Sequence, residues 1–494
     1  MIFFVKLQQL FSINILVNQG VLIPENLQNL EINLVTSDSR DVTAQSIFIA
    51  YKGTTSDGHQ YLAAAILAGA QVLIVEDSQK IPANFLGLTV KVQNAKRLLS
   101  ALAAQLYGNP SEKLICFGVT GTNGKTSMTY LIEHFLQSVN QQVGIIGTVE
   151  HRVGEKKWPT SLTTPNATTL QKRLADFVDE GARYAAMEVS SHALDQDRAS
   201  DVHFDVAIFT NLTLDHLDYH KDMKNYFQAK QKLFTELLWN SKKAPRFAIV
   251  NIDDDYGRTL RIADHTLIWT YGQNSSADFC FNVLQTTVDG TEFELKIKNE
   301  KFKVKSPLIG DFNVANVVAA IAAVTCVGIP LPQSLKNIEK FKGIPGRLQR
   351  VSEMSKKIFI DYAHTPDALE KTLKTLALIK QKNKLITVFG CGGDRDTSKR
   401  PIMGQIAEKY SDHIIVTSDN PRTENPDKII SDIKAGIKNQ VDSEPDREKA
   451  ITQAIRIATR DDIVVIAGKG HEDYQIIGEQ KNYFSDYKTA LKFN

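Results

Sequence analysis

The segment of the chain most suggestive of chemistry is a glycine loop, GVTGTNGKTS, at residues 118–127. It follows the apolar run LICFGV and precedes TYLIEHFLQSV, which has helical spacing. A strand, a glycine loop and a helix in this order are typical of a phosphate cradle, in which Gly121 and Gly124 let backbone N–H groups face an anion. Lys125 adds a positive charge, and the Thr126 hydroxyl can hold Mg²⁺. The loop therefore predicts nucleotide binding.

This loop is a variant of the strict phosphate-binding pattern, which has a glycine at the position of Val119. Here the glycine, Gly118, comes one residue earlier. A glycine-rich turn that binds no ligand is the alternative interpretation, but GKT between a strand and a helix favours a nucleotide. Nucleotide binding alone does not name a reaction.

A second group of polar residues lies at the ends of four apolar runs in the last third of the chain. These runs end at Asp361, Gly390, Asp419 and Gly468, each followed by polar or glycine-rich residues. Ligands of open α/β sheets bind at the carboxyl ends of the strands, so four such ends together favour a binding site. At any single strand, the alternative is a glycine or aspartate that only forms a turn.

The elements that must position these residues predict an α/β protein with three domains. Short β-branched runs alternate with segments of helical period in three stretches. We expect a smaller α/β N-terminal domain at 1–108, a central domain with the phosphate loop and a mostly parallel sheet at 109–341, and a C-terminal domain with a Rossmann-like sheet at 342–494. Segments with Gly and Pro, YGNPSEK and FKGIPGR, mark the two boundaries.

Composition excludes several classes of protein. Of the 494 residues 43% are hydrophobic, and 58 Lys and Arg against 56 Asp and Glu give a net charge of +2, which argues against a dedicated nucleic-acid-binding protein. No apolar run approaches the ~20 residues of a membrane helix, and the N-terminal apolar stretch lacks a small-residue cleavage site. The four cysteines are widely scattered, which fits a reducing compartment. We expect a soluble, cytoplasmic protein.

Five motifs together resemble one family of enzymes. TGTNGKT, TTP (163–165), EVSSHAL (188–194), TNLTLDHLDYH (210–220) and DYAHTPDAL (361–369) resemble the Mur ligases of peptidoglycan precursor synthesis, and the similarity spans essentially the whole chain. Three further segments, GCGGDRD (390–396), DNPR (419–422) and GKGHEDYQ (468–475), resemble the branch of that family that adds meso-diaminopimelate.

The resemblance implies an ATP-dependent and Mg²⁺-dependent ligase, and we expect it to act in the cytoplasm as a monomer. ATP would phosphorylate the γ-carboxylate of D-Glu in UDP-MurNAc-L-Ala-D-Glu, and the amine of meso-diaminopimelate would attack the acyl phosphate. This chemistry is sensible because a carboxylate is a poor acyl donor until one oxygen becomes a phosphate leaving group. Cations are needed to bring the two anions together.

The resemblance also assigns roles to individual residues. For ATP it implies Gly121, Thr122, Asn123, Gly124, Lys125, Thr126, Ser127, Asn316, Arg347 and Asp361. For Mg²⁺ it implies Thr126, Glu188 and His216, beside a carbamylated Lys230. For the UDP-linked substrate it implies Ser37, Ser39, Thr54, Thr55, Ser56, Thr163, Thr164, Ser190, Gln196 and Arg198, and for meso-diaminopimelate Arg395, Asp419, Asn420, Pro421, Arg422, Gly468 and Glu472.

Each role has a simpler alternative. Most helix lysines are solvated, most Ser and Thr hydroxyls cap helices or form turns, and a strand-end glutamate is usually solvated. Glu188 is the stronger metal candidate than His216, because Mg²⁺ strongly prefers oxygen ligands. Arg422 could be a plain turn residue, but its guanidinium also suits the distal carboxylate that diaminopimelate has and lysine lacks.

Two other functions remain open at the level of the sequence. A lysine-adding ligase of the same family is disfavoured by Arg422, and a nucleotide-dependent switch would use the phosphate loop to bind a partner. Folylpolyglutamate synthetase shares the ligase chemistry, but its pattern does not include DNPR followed by GKGHEDYQ.

Overall fold

The computed structural model describes residues 4–13, 16–17, 20–54, 56–83, 85–351 and 356–493. Its first main sheet has four parallel strands, in the spatial order Leu34–Thr36, Ser46–Ala50, Val72–Val75 and Leu88–Lys91. Helices Leu62–Leu67 and Ala95–Leu106 cover its opposite faces, which is why the inner strands are continuous apolar runs. An antiparallel pair, Val5–Lys6 with Glu31–Ile32, and the short helix Leu7–Leu10 precede this sheet.

The second sheet has eleven strands and contains the strand before the phosphate loop. Their spatial order is Lys156–Trp158, His151–Val153, Val143–Ile146, Tyr184–Glu188, Ile115–Thr120, Val206–Phe209, Arg246–Asn251, Thr266–Gly272, Phe279–Thr287, Gly290–Ile297 and Glu300–Ser306. The seven strands from Val143–Ile146 to Phe279–Thr287 in this order are parallel, and the two at each end of the sheet are antiparallel. The strand before the phosphate loop is therefore interior, with a parallel neighbour on each side.

Helices cover both faces of this sheet. They are Lys125–Gln137, Ala167–Asp179, Ser191–Asp195, Leu217–His220, Met223–Lys232, Leu238–Asn240, Asp255–Arg258, Asp311–Cys326 and Leu331–Asn337, with a π-helical turn at Leu233–Leu237. The helix Asp311–Cys326 is apolar nearly all round and is buried against Lys125–Gln137, the helix that follows the phosphate loop. This packing holds helix Lys125–Gln137 in place, and with it the phosphate loop at the start of that helix.

The third sheet has six strands, in the order Gln349–Arg350, Lys357–Asp361, Ile463–Ala467, Leu385–Phe389, His413–Thr417 and Asp442–Glu444. All are parallel except the first. The helices that follow or flank them are Pro366–Ile379, Lys399–Tyr410, Pro426–Lys434, Arg447–Ile457 and Asp486–Lys492, and a hairpin joins Tyr474–Ile477 to Gln480–Tyr483. The predicted α/β class, with mostly parallel sheets, is confirmed.

A buried ion pair holds two strand ends of the third sheet in place. Arg447 donates to Asp486 at 2.7 Å, and both side chains are fully buried. The same guanidinium donates to the carbonyls of Ser418 and Ala467 at 3.1 and 3.0 Å. These hydrogen bonds hold the backbone just before the polar segments that begin at Asp419 and Gly468.

The antiparallel strands at the two ends of the second sheet were not predicted. Strands Gly290–Ile297 and Glu300–Ser306 are rich in Lys and Glu and leave one face to solvent, so they lack the apolar runs used to recognise the other strands. Lysines on an edge strand also disfavour pairing with another chain. Among the residues that the structure describes, no helix is long and apolar enough to cross a membrane.

Candidate functional site

The phosphate loop has the predicted place between a strand and a helix. It connects strand Ile115–Thr120 to helix Lys125–Gln137. Gly121 and Gly124 have φ angles of 148° and 89°, which residues with side chains rarely adopt. A Cβ at Gly121 would also overlap the Thr210 hydroxyl. Glycine is thus required by both conformation and packing.

The N–H groups of this loop divide into two sets. Those of Thr122 and Asn123 donate to Asn211 O and Oδ1 at 2.8 and 3.0 Å. The N–H groups of the first helical turn, which begins at Lys125, have no acceptor within the helix, so they can donate hydrogen bonds to a phosphate. Gly118, the glycine that departs from the strict pattern, lies within the strand, where a Cβ would be 2.7 Å from the Phe204 ring.

Two lysines converge on the loop, Lys230 fully buried and Lys125 half-buried. Lys125 Nζ donates to the carbonyls of Gly121 and Thr122, both at 2.8 Å, and Lys230 Nζ donates to the same Gly121 carbonyl at 2.9 Å. Burial lowers the pKa of Lys125, and burial with the nearby Lys125 charge lowers the pKa of Lys230 well below its usual value. A lowered pKa gives Lys230 a neutral amine for part of the time.

Glu188 lies at the end of its strand, beside the first turn of the loop helix. Its carboxylate accepts hydrogen bonds from the Thr126 hydroxyl at 3.0 Å and from the N–H and hydroxyl of Thr148 at 2.8 and 3.1 Å. Arg347 also donates to the Thr126 hydroxyl, at 3.2 Å. Glu188 is 1% exposed, so it is not the solvated turn residue of the alternative interpretation.

A cavity of ≈ 160 Å³ joins these residues. It brings together many of the predicted positions, namely Thr122, Asn123, Gly124, Lys125, Thr126, Thr163, Glu188, Ser190, His216, Lys230 and Arg347. Its lining also contains Thr148, Ser191, Asp215, Tyr362, His364 and Thr365, which the sequence analysis did not assign. Asp215, Tyr362 and His364 stand inside the quoted motifs TNLTLDHLDYH and DYAHTPDAL, which was the available signal.

The pKa values of the cavity's ionisable groups reflect desolvation at the cavity wall and the charges around them. Desolvation at the cavity wall lowers the pKa of His216 to about 4, so its imidazole is neutral at pH 7, although 45% of the side chain remains exposed. Burial also lowers the pKa of His364. Burial raises the pKa of Asp215, but His216 and His364 outweigh that effect and lower it overall. In the described part of the chain, no three His, Cys, Asp or Glu side chains cluster as a metal site of their own.

The linker to the third sheet contributes Arg347 to the cavity. Its guanidinium lies 4.5 Å from the centre of the Tyr362 ring, and that ring lies 5.1 Å from His471. Asp361 does not line the cavity: it accepts from the N–H groups of Leu348 and Ala363 at 2.7 and 3.0 Å. Two other predicted ATP residues are buried beside the loop: Asn316, whose Oδ1 would be 2.6 Å from a Cβ on Gly124, and Ser127 in the first helical turn.

The predicted contacts to the UDP-linked substrate form a network at one side of the cavity. Thr163 shares a hydrogen bond with Thr148 at 3.0 Å, and the Thr164 hydroxyl donates to Glu188 O at 2.8 Å. Arg198 donates to Thr164 O at 3.0 Å and to Gln196 Oε1 at 3.1 Å. Ser190 caps its helix by accepting from Ala193 N–H at 3.2 Å.

The first sheet faces this network. Lys96 donates to Asp195 O at 2.8 Å, and Arg97 pairs with Asp201. The predicted uridine contacts lie at the ends of two strands of the sheet, where Ser37 and Ser39 are half-buried and Thr54 and Ser56 are exposed. Thr55 lies outside the described residues.

The predicted diaminopimelate contacts form a second polar cluster at the strand ends of the third sheet. Asn420 donates to Glu472 at 2.9 Å and accepts from Lys469 at 3.2 Å, and Lys469 also donates to Glu472 at 3.1 Å. Arg422 adopts a φ of 51° and donates to Gly393 O at 2.6 Å. Lys469 is fully buried and was missed by the sequence analysis, although it is the lysine of GKGHEDYQ.

The remaining members of that set differ in burial. Asp419 is buried, and a Cβ on Gly468 would lie 2.5 Å from its carboxylate, so these two approach closely. Pro421 is also buried, whereas Arg395 is exposed, and its hydrogen bond among the described residues is to Asp394 O at 3.4 Å.

Three family models match the chain in succession. Their descriptions are Mur ligase family, catalytic domain, at residues 31–107; Mur ligase middle domain, at 119–324; and Mur ligase, glutamate ligase domain, at 346–470. Two relatives, from Geobacter metallireducens and Thermosynechococcus vestitus, are each named UDP-N-acetylmuramoyl-L-alanyl-D-glutamate–2,6-diaminopimelate ligase. They are 43% and 45% identical to this chain, over 92% and 94% of it and 93% of each relative.

Solved structures of Mur ligases are also similar to this chain. A structure of a UDP-N-acetylmuramoyl-L-alanyl-D-glutamate–2,6-diaminopimelate ligase superposes with a TM-score of 0.71 at 33% identity, over 99% of this chain and 98% of that one. MurF from Acinetobacter baumannii, at 21% identity and a TM-score of 0.64 over 94% of this chain and 96% of its own, shares the fold.

Replacing Gly121 by Ala should weaken ATP binding by at least about tenfold, or ~1.4 kcal/mol, because the added methyl group overlaps Thr210 and strains the loop. Calorimetric titration with ATP measures the effect. Gly181→Ala is the matched control, since Gly181 also has a positive φ, of 81°, but open space around it. Equal ATP affinities for the two variants would contradict the phosphate-loop assignment.

Proposed function

Because this chain belongs to the Mur ligase family, we propose that it joins meso-diaminopimelate to the γ-carboxylate of D-Glu in UDP-MurNAc-L-Ala-D-Glu with ATP as the energy source. It would thus be a ligase of the MurE branch, a UDP-MurNAc-tripeptide synthetase. The observation that carries the proposal is the cavity in which the phosphate loop, Glu188, Lys230 and Arg347 converge. We also propose the domain limits 1–108, 109–341 and 342–494, each containing one main sheet.

The cavity's charges suit the transfer of a phosphoryl group to a carboxylate. ATP and the substrate acid are both anions, so their reacting oxygens repel each other in water. Lys125 and Arg347 offer positive charge where the two would meet, and burial strengthens those interactions. The acyl phosphate that forms is sensitive to water, and a small cavity enclosed by residues from the second sheet, the linker and the third sheet limits water access.

The residues present fit a Mg²⁺ ion. The Thr126 hydroxyl and the Glu188 carboxylate lie 3.0 Å apart and are oxygen donors, which Mg²⁺ prefers. We propose these two residues as its ligands, with His216, whose imidazole is neutral, as a weaker third. When bound, the ion would offset the charge of the phosphate oxygens.

We propose that carbamylated Lys230 completes this charge arrangement. CO₂ reacts with neutral amines, and the lowered pKa of Lys230 supplies one. The product, a carbamate, replaces a cation beside Lys125 with an anion. This change relieves the repulsion between two amines that share the Gly121 carbonyl.

The two polar networks on either side of the cavity would bind the two substrates. We propose that Thr163, Thr164, Ser190, Gln196 and Arg198 bind the UDP-linked acid, with its uridine against the first sheet. The cluster that contains Asn420, Arg422 and Glu472 would bind the amino acid. The distal carboxylate of meso-diaminopimelate needs a cation, and we propose Arg422 and Arg395, two guanidinium groups at that edge of the sheet, for this role.

The decisive test is phosphate release from ATP with UDP-MurNAc-L-Ala-D-Glu and, in parallel, meso-diaminopimelate, L-lysine or no amino acid. We expect release only with meso-diaminopimelate. Release with lysine alone would retain the ligase and refute the specificity. Hydrolysis independent of both substrates would instead favour the nucleotide-dependent switch.

Replacing Lys230 by Ala should abolish ligase activity, because the variant cannot form a carbamate. Acetate or formate should restore part of the activity by placing a carboxylate in the space left. Lys224→Ala is the control, since Lys224 is an exposed lysine on the same helix. Full activity of the Lys230 variant without added acid would eliminate the role of the carbamate.

Arg422→Ala should raise the KM for meso-diaminopimelate by roughly 10-fold to 150-fold, because a hydrogen bond to a charged group contributes a free energy of that size. The KM for ATP should stay nearly unchanged. Arg422→Lys should recover only part of the loss, because it keeps the charge without the planar fork. Steady-state kinetics on both substrates measure the effect. Equal increases in the two KM values would contradict the assignment.

A further inference from the structure

Two buried side chains at the edge of the cavity have no role in the function proposed above. Ser191 lines the cavity and is 1% exposed. Its hydroxyl oxygen lies 2.9 Å from His220 Nε2, and His220 is 6% exposed. The two residues are distant in the chain, since Ser191 begins one helix and His220 ends another.

Ser191 differs from its neighbour Ser190 in what its hydroxyl does. Ser190 caps its helix by accepting from Ala193 N–H, and it also accepts from Thr164 at 3.3 Å. The described contacts of the Ser191 hydroxyl contain one side-chain partner, His220. A hydroxyl held from one side, at the wall of a cavity, retains hydrogen-bonding capacity towards that cavity.

The His220 ring is itself held in place. It packs against His192 and Tyr226, with ring centres 5.4 and 5.1 Å away. Tyr226 is fixed in turn by a 3.2 Å hydrogen bond between its hydroxyl and that of Thr122 in the phosphate loop. The position of His220 Nε2 is therefore tied to the loop.

We propose that His220 is a positioning residue, which donates from Nε2 to the Ser191 oxygen so that the Ser191 hydroxyl donates to an anionic oxygen in the cavity. The inference rests on the proposed function, which supplies two such oxygens: one on the terminal phosphate of ATP and one on the substrate carboxylate. The opposite arrangement, with Ser191 donating to His220, would present only lone pairs to an anion, which repel it.

Kinetics with single and double variants test the positioning. Ser191→Ala should lower kcat/KM by at least about tenfold, and His220→Phe, which keeps the ring but lacks the nitrogen, should lower it equally. The double variant should be no worse than Ser191→Ala, because His220 acts only through the hydroxyl. His220→Gln should recover most of the activity, since its amide nitrogen can donate in place of Nε2. Losses that multiply in the double variant, or full activity of Ser191→Ala, would overturn the proposal.

The same kinetics identify the oxygen. A higher KM for ATP alone assigns it to the phosphate, and a higher KM for UDP-MurNAc-L-Ala-D-Glu alone assigns it to the carboxylate. Ser241→Ala is the matched control, as Ser241 is a buried serine whose hydroxyl donates to Phe204 O at 2.9 Å and accepts from Lys243 N–H at 3.4 Å, away from the cavity. It should retain wild-type kcat/KM.

A second measurement does not depend on turnover and so separates this proposal from the proposed function. Nitrogen-15 histidine labelling, with the His220 signal identified by its absence in His220→Gln, reports which ring nitrogen carries the proton. We expect a protonated Nε2 whose shift changes in Ser191→Ala. An unprotonated Nε2 would refute the positioning role even in a fully active ligase.

Discussion

Two lysine amines share one carbonyl oxygen of the phosphate loop, and much of the site follows from that contact. Lys125 and Lys230 both donate to Gly121 O, within a buried cavity where charge is weakly screened. Such a pair is stable only if one amine loses its charge or an anion lies close by. The lowered pKa of Lys230 reflects the first solution, and Glu188 and Asp215 in the cavity wall contribute to the second. A cavity built in this way is prepared for a polyanionic ligand before that ligand arrives.

The fold makes this contact possible because it buries the backbone around the loop. The strand before the loop has a parallel neighbour on each side, and the helix after it packs against the apolar helix Asp311–Cys326. Lys230 comes from a separate helix, Met223–Lys232, that covers the sheet near the same strand ends. The Gly121 carbonyl can therefore accept from two directions without backbone movement, which is the preorganisation that electrostatic catalysis needs.

The features that the sequence predicted are those encoded by local patterns of residues. The features that it missed arise from packing between residues distant in the chain. The phosphate loop, the strand ends and the α/β class follow from short-range signals, namely glycine spacing and apolar runs. Lys469 and Ser191 stand inside recognised motifs but became notable only through burial and through partners that are remote in the chain, Asn420 and His220. The polar antiparallel strands at the ends of the second sheet were not predicted because solvent-facing polar residues interrupt the apolar runs by which strands were recognised.

The two halves of the proposed reaction need a phosphoryl site and an amine site that are close and correctly oriented. Two glycines allow the segments that contain these proposed sites to pack closely. A Cβ on Gly346 would overlap the backbone of Gly470 and His471, and a Cβ on Gly470 would lie 2.6 Å from Tyr362 Cβ. The linker that contains Arg347 is thus pressed directly onto the segment that contains Lys469 and Glu472. Arg347 reaches the phosphate-loop hydroxyl of Thr126 from this contact, so a shift of the segment that contains Lys469 and Glu472 would also shift the Arg347 guanidinium. In the proposed reaction, this backbone packing would couple amine binding to phosphoryl transfer, and side chains larger than glycine would separate the two segments.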